Sequence, residues 1–273
     1  MLKRALNHMA APNLEWQGFV ALAASLNCVG VEFRNDLGRD LFEGATPEDV
    51  GAACSARGLK ILALAEVKAF DDWSDEKQAE AASLMTIARA CGAERISLIA
   101  RNDGINTGKS ERNAALKVAL DALAPMLAKN NLIGLIEPLG FESCALRYKD
   151  EVVEAIHLLG SDAPFQIVHD TFHHALAGGG ALFPNETGIV HVSGVTKTGI
   201  AVTDFQDPDR ELVTSGDRLG NIEQVAELLR KGYDGAISFE PFSPQVHGLA
   251  HPRSAYEASF AFMEAGLADP YPA

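Results

Sequence analysis

An alternation repeated eight times constrains this chain more than any other feature. A short apolar run is followed by an amphipathic stretch with apolar residues three and four apart. The strand-like runs span 4–9, 29–34, 59–66, 94–100, 132–137, 165–170, 188–193 and 235–240. Helical patterns lie between them, as at 75–91 and 111–129. Strands that alternate with helices pair in parallel through crossover helices. Eight such units in 273 residues predict one (β/α)8 TIM barrel, with residues 1–273 as a single domain. An open doubly wound sheet is the alternative. It calls for a Gly-rich phosphate loop after the first strand, and the segment from Asn7 to Pro12 is not one.

Boundary signals agree with this partition. Gly58, Gly92 and Gly232 each stand just before a strand, and Asn130-Asn131 serves the same purpose. Thr46 before Pro47 and Ser110 before Glu111 read as helix starts. Gly178-Gly179-Gly180 reads as an open loop after the sixth strand, on the face where barrels carry function.

Bulk properties narrow the partners. The net charge is −14 and no basic cluster stands out, which argues against nucleic acid. No apolar run is long enough to cross a membrane, and the first residues lack an apolar signal core, so a cytoplasmic protein is expected. Of the four cysteines, Cys28, Cys54 and Cys91 read as packing thiols, whereas Cys144 follows a candidate site segment. The expected partner is a small molecule; self-association into a homo-oligomer is left open.

The last four strands end in Glu137, Asp170, His191 and Glu240. In a barrel the C-terminal strand ends meet at one pocket. Three carboxylates crowded there repel one another unless a cation sits among them. Carboxylates with one imidazole suit Mn²⁺, Mg²⁺, Co²⁺ or Zn²⁺, so one divalent ion is the expected cofactor. His169 alternates with Asp170 and should point away from the pocket. Glu32, Arg34, Glu66, Asn102, Glu142, Arg147 and Trp73 are further pocket candidates that the sequence does not rank.

With those motifs in view, the chain resembles the xylose-isomerase-like barrels, the sugar isomerase and epimerase superfamily. The resemblance rests on IEPLGF, HDTFHH, VHVSG and SFEPF, and its local strings are most similar to inosose (2-keto-myo-inositol) isomerases. It implies that Glu137, Asp170, His191 and Glu240 hold the metal and that His173 contacts substrate hydroxyls. It also implies that Arg218, in DRLGNI, lies beside substrate oxygens. Where some members carry an Asp shortly after the strand 7 histidine, this chain has Gly194-Val195-Thr196.

The implied reaction moves a carbonyl between neighbouring carbons of a polyhydroxylated ketone through an enediolate, with Glu137 or Glu240 moving the proton. Rival activities on the same ligand set are a ketose 3-epimerase, a hydroxypyruvate isomerase and an inosose dehydratase. An endonuclease IV-like phosphodiesterase would need more metal ligands and a basic groove.

Overall fold

The computed structural model describes residues 2–105 and 108–268. Eight parallel strands close in chain order into a barrel. They are β1 (Arg4–Asn7), β2 (Gly30–Arg34), β3 (Lys60–Lys68), β4 (Arg95–Ile99), β5 (Ile133–Glu137), β6 (Phe165–Asp170), β7 (Thr187–Val192) and β8 (Ile237–Phe239). The helices are α1 (Trp16–Ser25), α2 (Pro47–Ser55), α3 (Asp75–Cys91), α4 (Lys109–Asn130), α5 (Lys149–Leu159), α6 (Thr171–Leu176), α7 (Asn221–Arg230), α8 (Pro244–His247) and α9 (Pro252–Ala268).

Two local expectations need correction. Helix α4 begins at Lys109 after Gly108, two residues earlier than Ser110 before Glu111 suggests. The first strand stops at Asn7, whose side chain accepts from Met9 N and turns His8–Ala10 into a 3-10 helix. Elsewhere the signals act as read. Thr46 accepts from Asp49 N at the start of α2, and Asn131 closes α4 with φ 54°.

The period of two along each strand divides the apolar residues between two layers. Ala5, Leu135, Val168, Ile189 and Ala236 form a cluster of their own inside the barrel. Ile136, Ile167, Val190, Val192 and Phe239 belong to the larger core shared with the helices. The inward series continues one step along each strand into Glu137, Asp170 and His191. It continues two steps from Ala236 to Glu240. The same alternation that fills the barrel thus places polar side chains at its mouth, above an apolar floor.

Candidate metal centre

Strand register sets the geometry. Asp170 stands opposite His191, and His191 opposite Ser238. Glu240 follows β8 directly, and its N–H donates to Val192 O at 3.0 Å. Ligand atoms of Glu137, Asp170, His191 and Glu240 all lie within 4.8 Å of one another, and all four residues are buried.

His191 is oriented from below. Its Nε2 lies 3.0 Å from Glu32 Oε2, and Glu32 Oε1 accepts from Ser238 Oγ at 2.6 Å. Glu32 therefore holds the Nε2 proton and leaves Nδ1 as the lone pair. Nδ1 is buried and without a hydrogen-bond partner. Glu240 Oε2 at 3.3 Å and Glu137 Oε1 at 3.7 Å flank it outside hydrogen-bonding geometry. An orphaned imidazole lone pair among three carboxylates is a donor set that fits a divalent cation. Burial alone would lower the His191 pKa, but Glu32 and Glu240 outweigh it and hold the ring well above its ordinary value, so a cation would gain the Nδ1 lone pair by displacing a proton.

The three carboxylates have different surroundings. Burial would raise Glu240, yet His191, Arg210 and Arg34 pull it well below the usual range. Arg34 Nη1 donates to Glu240 Oε1 at 2.7 Å, and Arg210 Nη2 donates to Glu240 Oε2 at 3.0 Å. Burial also works against Asp170, but Arg210 keeps it low, with Nη2 2.6 Å from Oδ2. Glu137 forms no guanidinium pair among the described residues; burial and the charges of Glu240 and Asp170 push it up to about 7 against the pull of His191.

Asp170 has a second task. Its Oδ1 accepts from His173 N at 2.9 Å and so caps α6. That cap brings His173 to the pocket wall, where its ring meets Phe141 edge-on at 5.1 Å between centroids. Gly140 makes the approach possible, because a Cβ there would stand 2.2 Å from His173 O.

The cavity above the cluster has a volume of about 450 Å³ and is bordered by Glu137, Glu240, His173, Arg34, Arg210 and Phe242, among others. Glu66 and Asn102 border it as well, whereas Glu142, Arg147 and Trp73 do not. His169 turns outward as expected, its Nε2 2.9 Å from Gln224 Oε1.

For Arg218 the structure gives surroundings other than those expected. It does not border the cavity. Its guanidinium donates to Lys197 O and, at 3.0 Å, to Ile200 O, and it lies over the Phe205 ring. These contacts tie down the β7–α7 connection, far enough along the loop to miss the pocket.

Arg210, which the sequence reading passes over, stands at the site instead and is 1% exposed. After β7 the chain doubles back, and Gly194 and Glu211 exchange backbone hydrogen bonds of 2.8 and 2.7 Å. A Cβ on Gly194 would meet Leu212 O at 2.7 Å, so glycine permits this close return. Phe242 N and Ser243 N then donate to Arg210 O at 3.0 and 2.8 Å. Glycine at position 194 thus lets Arg210 reach Asp170 and Glu240.

The sequence matches the family model described as xylose isomerase-like TIM barrel over residues 20–266. No curated protein sequence matches it. Among solved structures, a xylose isomerase domain containing protein from Salmonella typhimurium LT2 is similar, with TM-score 0.87, 28% identity and 97% of each chain covered. The IolI protein with a bound zinc atom gives TM-score 0.85 at 15% identity over 100% of both chains. D-psicose 3-epimerase from Clostridium cellulolyticum H10 gives TM-score 0.71 at 13% identity, covering 97% of this chain and 99% of that one. At such identities the last two likenesses concern the fold alone.

Proposed function

This chain belongs to the xylose isomerase-like TIM barrel family, and on that footing we propose that it is a divalent-metal-dependent isomerase of a polyhydroxylated ketone of the inosose type. The observation that carries the reading is the convergence of Glu137, Asp170, Glu240 and the orphaned His191 Nδ1 on one point under a polar cavity. Mn²⁺, Mg²⁺, Co²⁺ and Zn²⁺ all suit such donors.

A divalent ion held there supplies positive charge beside the substrate's carbonyl and neighbouring hydroxyl oxygens. Glu137 takes the proton from the carbon bearing that hydroxyl, leaving an enediolate. It then returns the proton to the former carbonyl carbon, while the hydroxyl proton passes from the neighbouring oxygen to the former carbonyl oxygen, so the ketone moves by one position. Glu137 suits this work better than Glu240, because Arg34 and Arg210 both hold Glu240 as an anion. Arg210 also borders the cavity and faces the developing negative charge. It takes the role beside substrate oxygens that the resemblance implies for Arg218. His173 offers a neutral imidazole to a substrate hydroxyl, since burial lowers its pKa more than Asp170 raises it.

Chelated protein should leave inosose unchanged in proton NMR spectra, and reloading with a divalent metal should restore turnover. Full turnover after exhaustive chelation would overturn the proposal.

Two substitutions probe the binding residues. His173→Ala should raise KM or lower kcat by about 10- to 100-fold, the worth of one buried hydrogen bond to a charged or polarised group. Metal content should stay intact, because only the backbone N–H of His173 serves the Asp170 cap. Loss of metal in this variant, read by elemental analysis, would move His173 into the ligand set. Arg210→Met should lower kcat/KM by about 10-fold or more, whereas Arg218→Ala should change it by less than about threefold. The reverse ranking in steady-state assays would restore the role to Arg218.

A further inference from the structure

His173 also borders a second cavity, of about 270 Å³. The polar groups around it besides His173 are Arg147, Tyr148, Lys149, Asp150 and His174, and the glycine loop at 178–180 lines it as well. These groups do not balance. Lys149 is buried, with Nζ 2.9 Å from His169 Nδ1 and 2.8 Å from His174 Nδ1. Among the described residues it forms no ion pair with a carboxylate. Asp150 Oδ1 is engaged by Glu151 N at 3.0 Å. Arg147 donates from Nη2 to Leu176 O at 3.2 Å, while Glu142, 3.5 Å from Nη1, is largely exposed. The Arg147 Nε is buried and has no partner.

The buried Lys149 amine has only imidazoles within hydrogen-bonding distance, with Asp170 acting on it from farther off, and the buried Arg147 N–H has no acceptor. Both residues belong to the lining of one small cavity. Gly178 and Gly179 spend their N–H groups on Ala175 O and His174 O, so the loop provides room rather than donors. No atom lies within 4 Å of where a Cβ would stand on Gly178, Gly179 or Gly180.

We propose that this cavity binds a small oxyanion, a phosphate or carboxylate group, through the Arg147 guanidinium and the Lys149 ammonium, with His174 alongside. A guanidinium and an ammonium suit both oxyanions. Burial pulls the Lys149 amine down to about 7, and an anion beside it would restore the charged form. Because His173 walls both cavities, occupancy here would reach the proposed substrate contact directly.

The test uses calorimetric titration of the full chain, freed of metal, with inorganic phosphate and separately with acetate. Saturable one-to-one binding of either probe is expected; the tighter of the two identifies the class of oxyanion. Arg147→Ala and Lys149→Met should each weaken binding about tenfold or more, and Arg210→Met should leave it unchanged. Arg147 is partly exposed, so its truncation keeps the test open if Lys149→Met fails to fold. Absence of binding by both probes would overturn the proposal. So would affinity that ignores the Arg147 and Lys149 variants, or affinity lost in Arg210→Met, which would put the anion at the metal centre. None of these readouts depends on the isomerase reading.

Discussion

Asp170→Ala protein should purify with no divalent metal, its affinity reduced by more than about 100-fold. Changes in groups that merely support metal ligands cost roughly 10- to 100-fold, so loss of a ligand should exceed that range. The substitution also removes the counter-charge nearest to buried Arg210, 2.6 Å from Asp170 Oδ2. Breaking a buried ion pair costs about 3–5 kcal/mol. It removes the α6 cap as well, worth about 1 kcal/mol. The variant should therefore unfold several degrees earlier than the metal-free parent. Asp170→Asn separates the effects, since its side-chain oxygen can still accept from His173 N while the anionic ligand is gone. Elemental analysis of both variants, beside their unfolding curves, checks the expectation. Full metal occupancy in Asp170→Asn would remove Asp170 from the ligand set whatever happened to stability.

Glu137→Gln and Glu240→Gln should fail in different ways. Glutamine keeps shape and one oxygen but cannot accept the carbon proton. At Glu137, which has no guanidinium pair, the expected loss is about 10²–10⁴-fold in kcat with part of the metal retained. At Glu240, two buried arginines lose a counter-charge at 2.7 and 3.0 Å, so loss of metal and of stability should lead. Kinetics of both variants at saturating metal, with metal content measured in parallel, distinguish them. If Glu240→Gln keeps its metal and its fold yet loses turnover while Glu137→Gln stays active, the two carboxylates exchange roles.

How far the site can be read from sequence follows from its geometry. Glu137, Asp170, His191 and Glu240 are legible because each continues the inward period of a strand whose apolar residues fill the barrel. The same period turns His169 outward. Arg210 escapes such reading because it stands in the long β7–α7 connection, where no period applies. Only the close return at Gly194 and the hydrogen bonds from Phe242 and Ser243 bring it to the mouth. Arg218 looks equally suitable in sequence, yet its nearest acceptors are carbonyls of its own loop. The support of His191 by Glu32 depends on pairing across the barrel between residues 159 positions apart, which linear spacing does not encode.

The most direct test of the central claim follows the proton itself. Inosose turned over in D₂O by the metal-loaded protein should yield product with deuterium at the carbon that was the ketone, seen in proton NMR spectra as loss of that signal. A proton held on Glu137 exchanges with solvent before it returns, and a shielded site would make the incorporation partial. Glu137→Gln should lose both turnover and incorporation. Product formed at full rate with no deuterium after long incubation would contradict the account, because the original hydrogen would then have passed between the carbons without reaching a carboxylate.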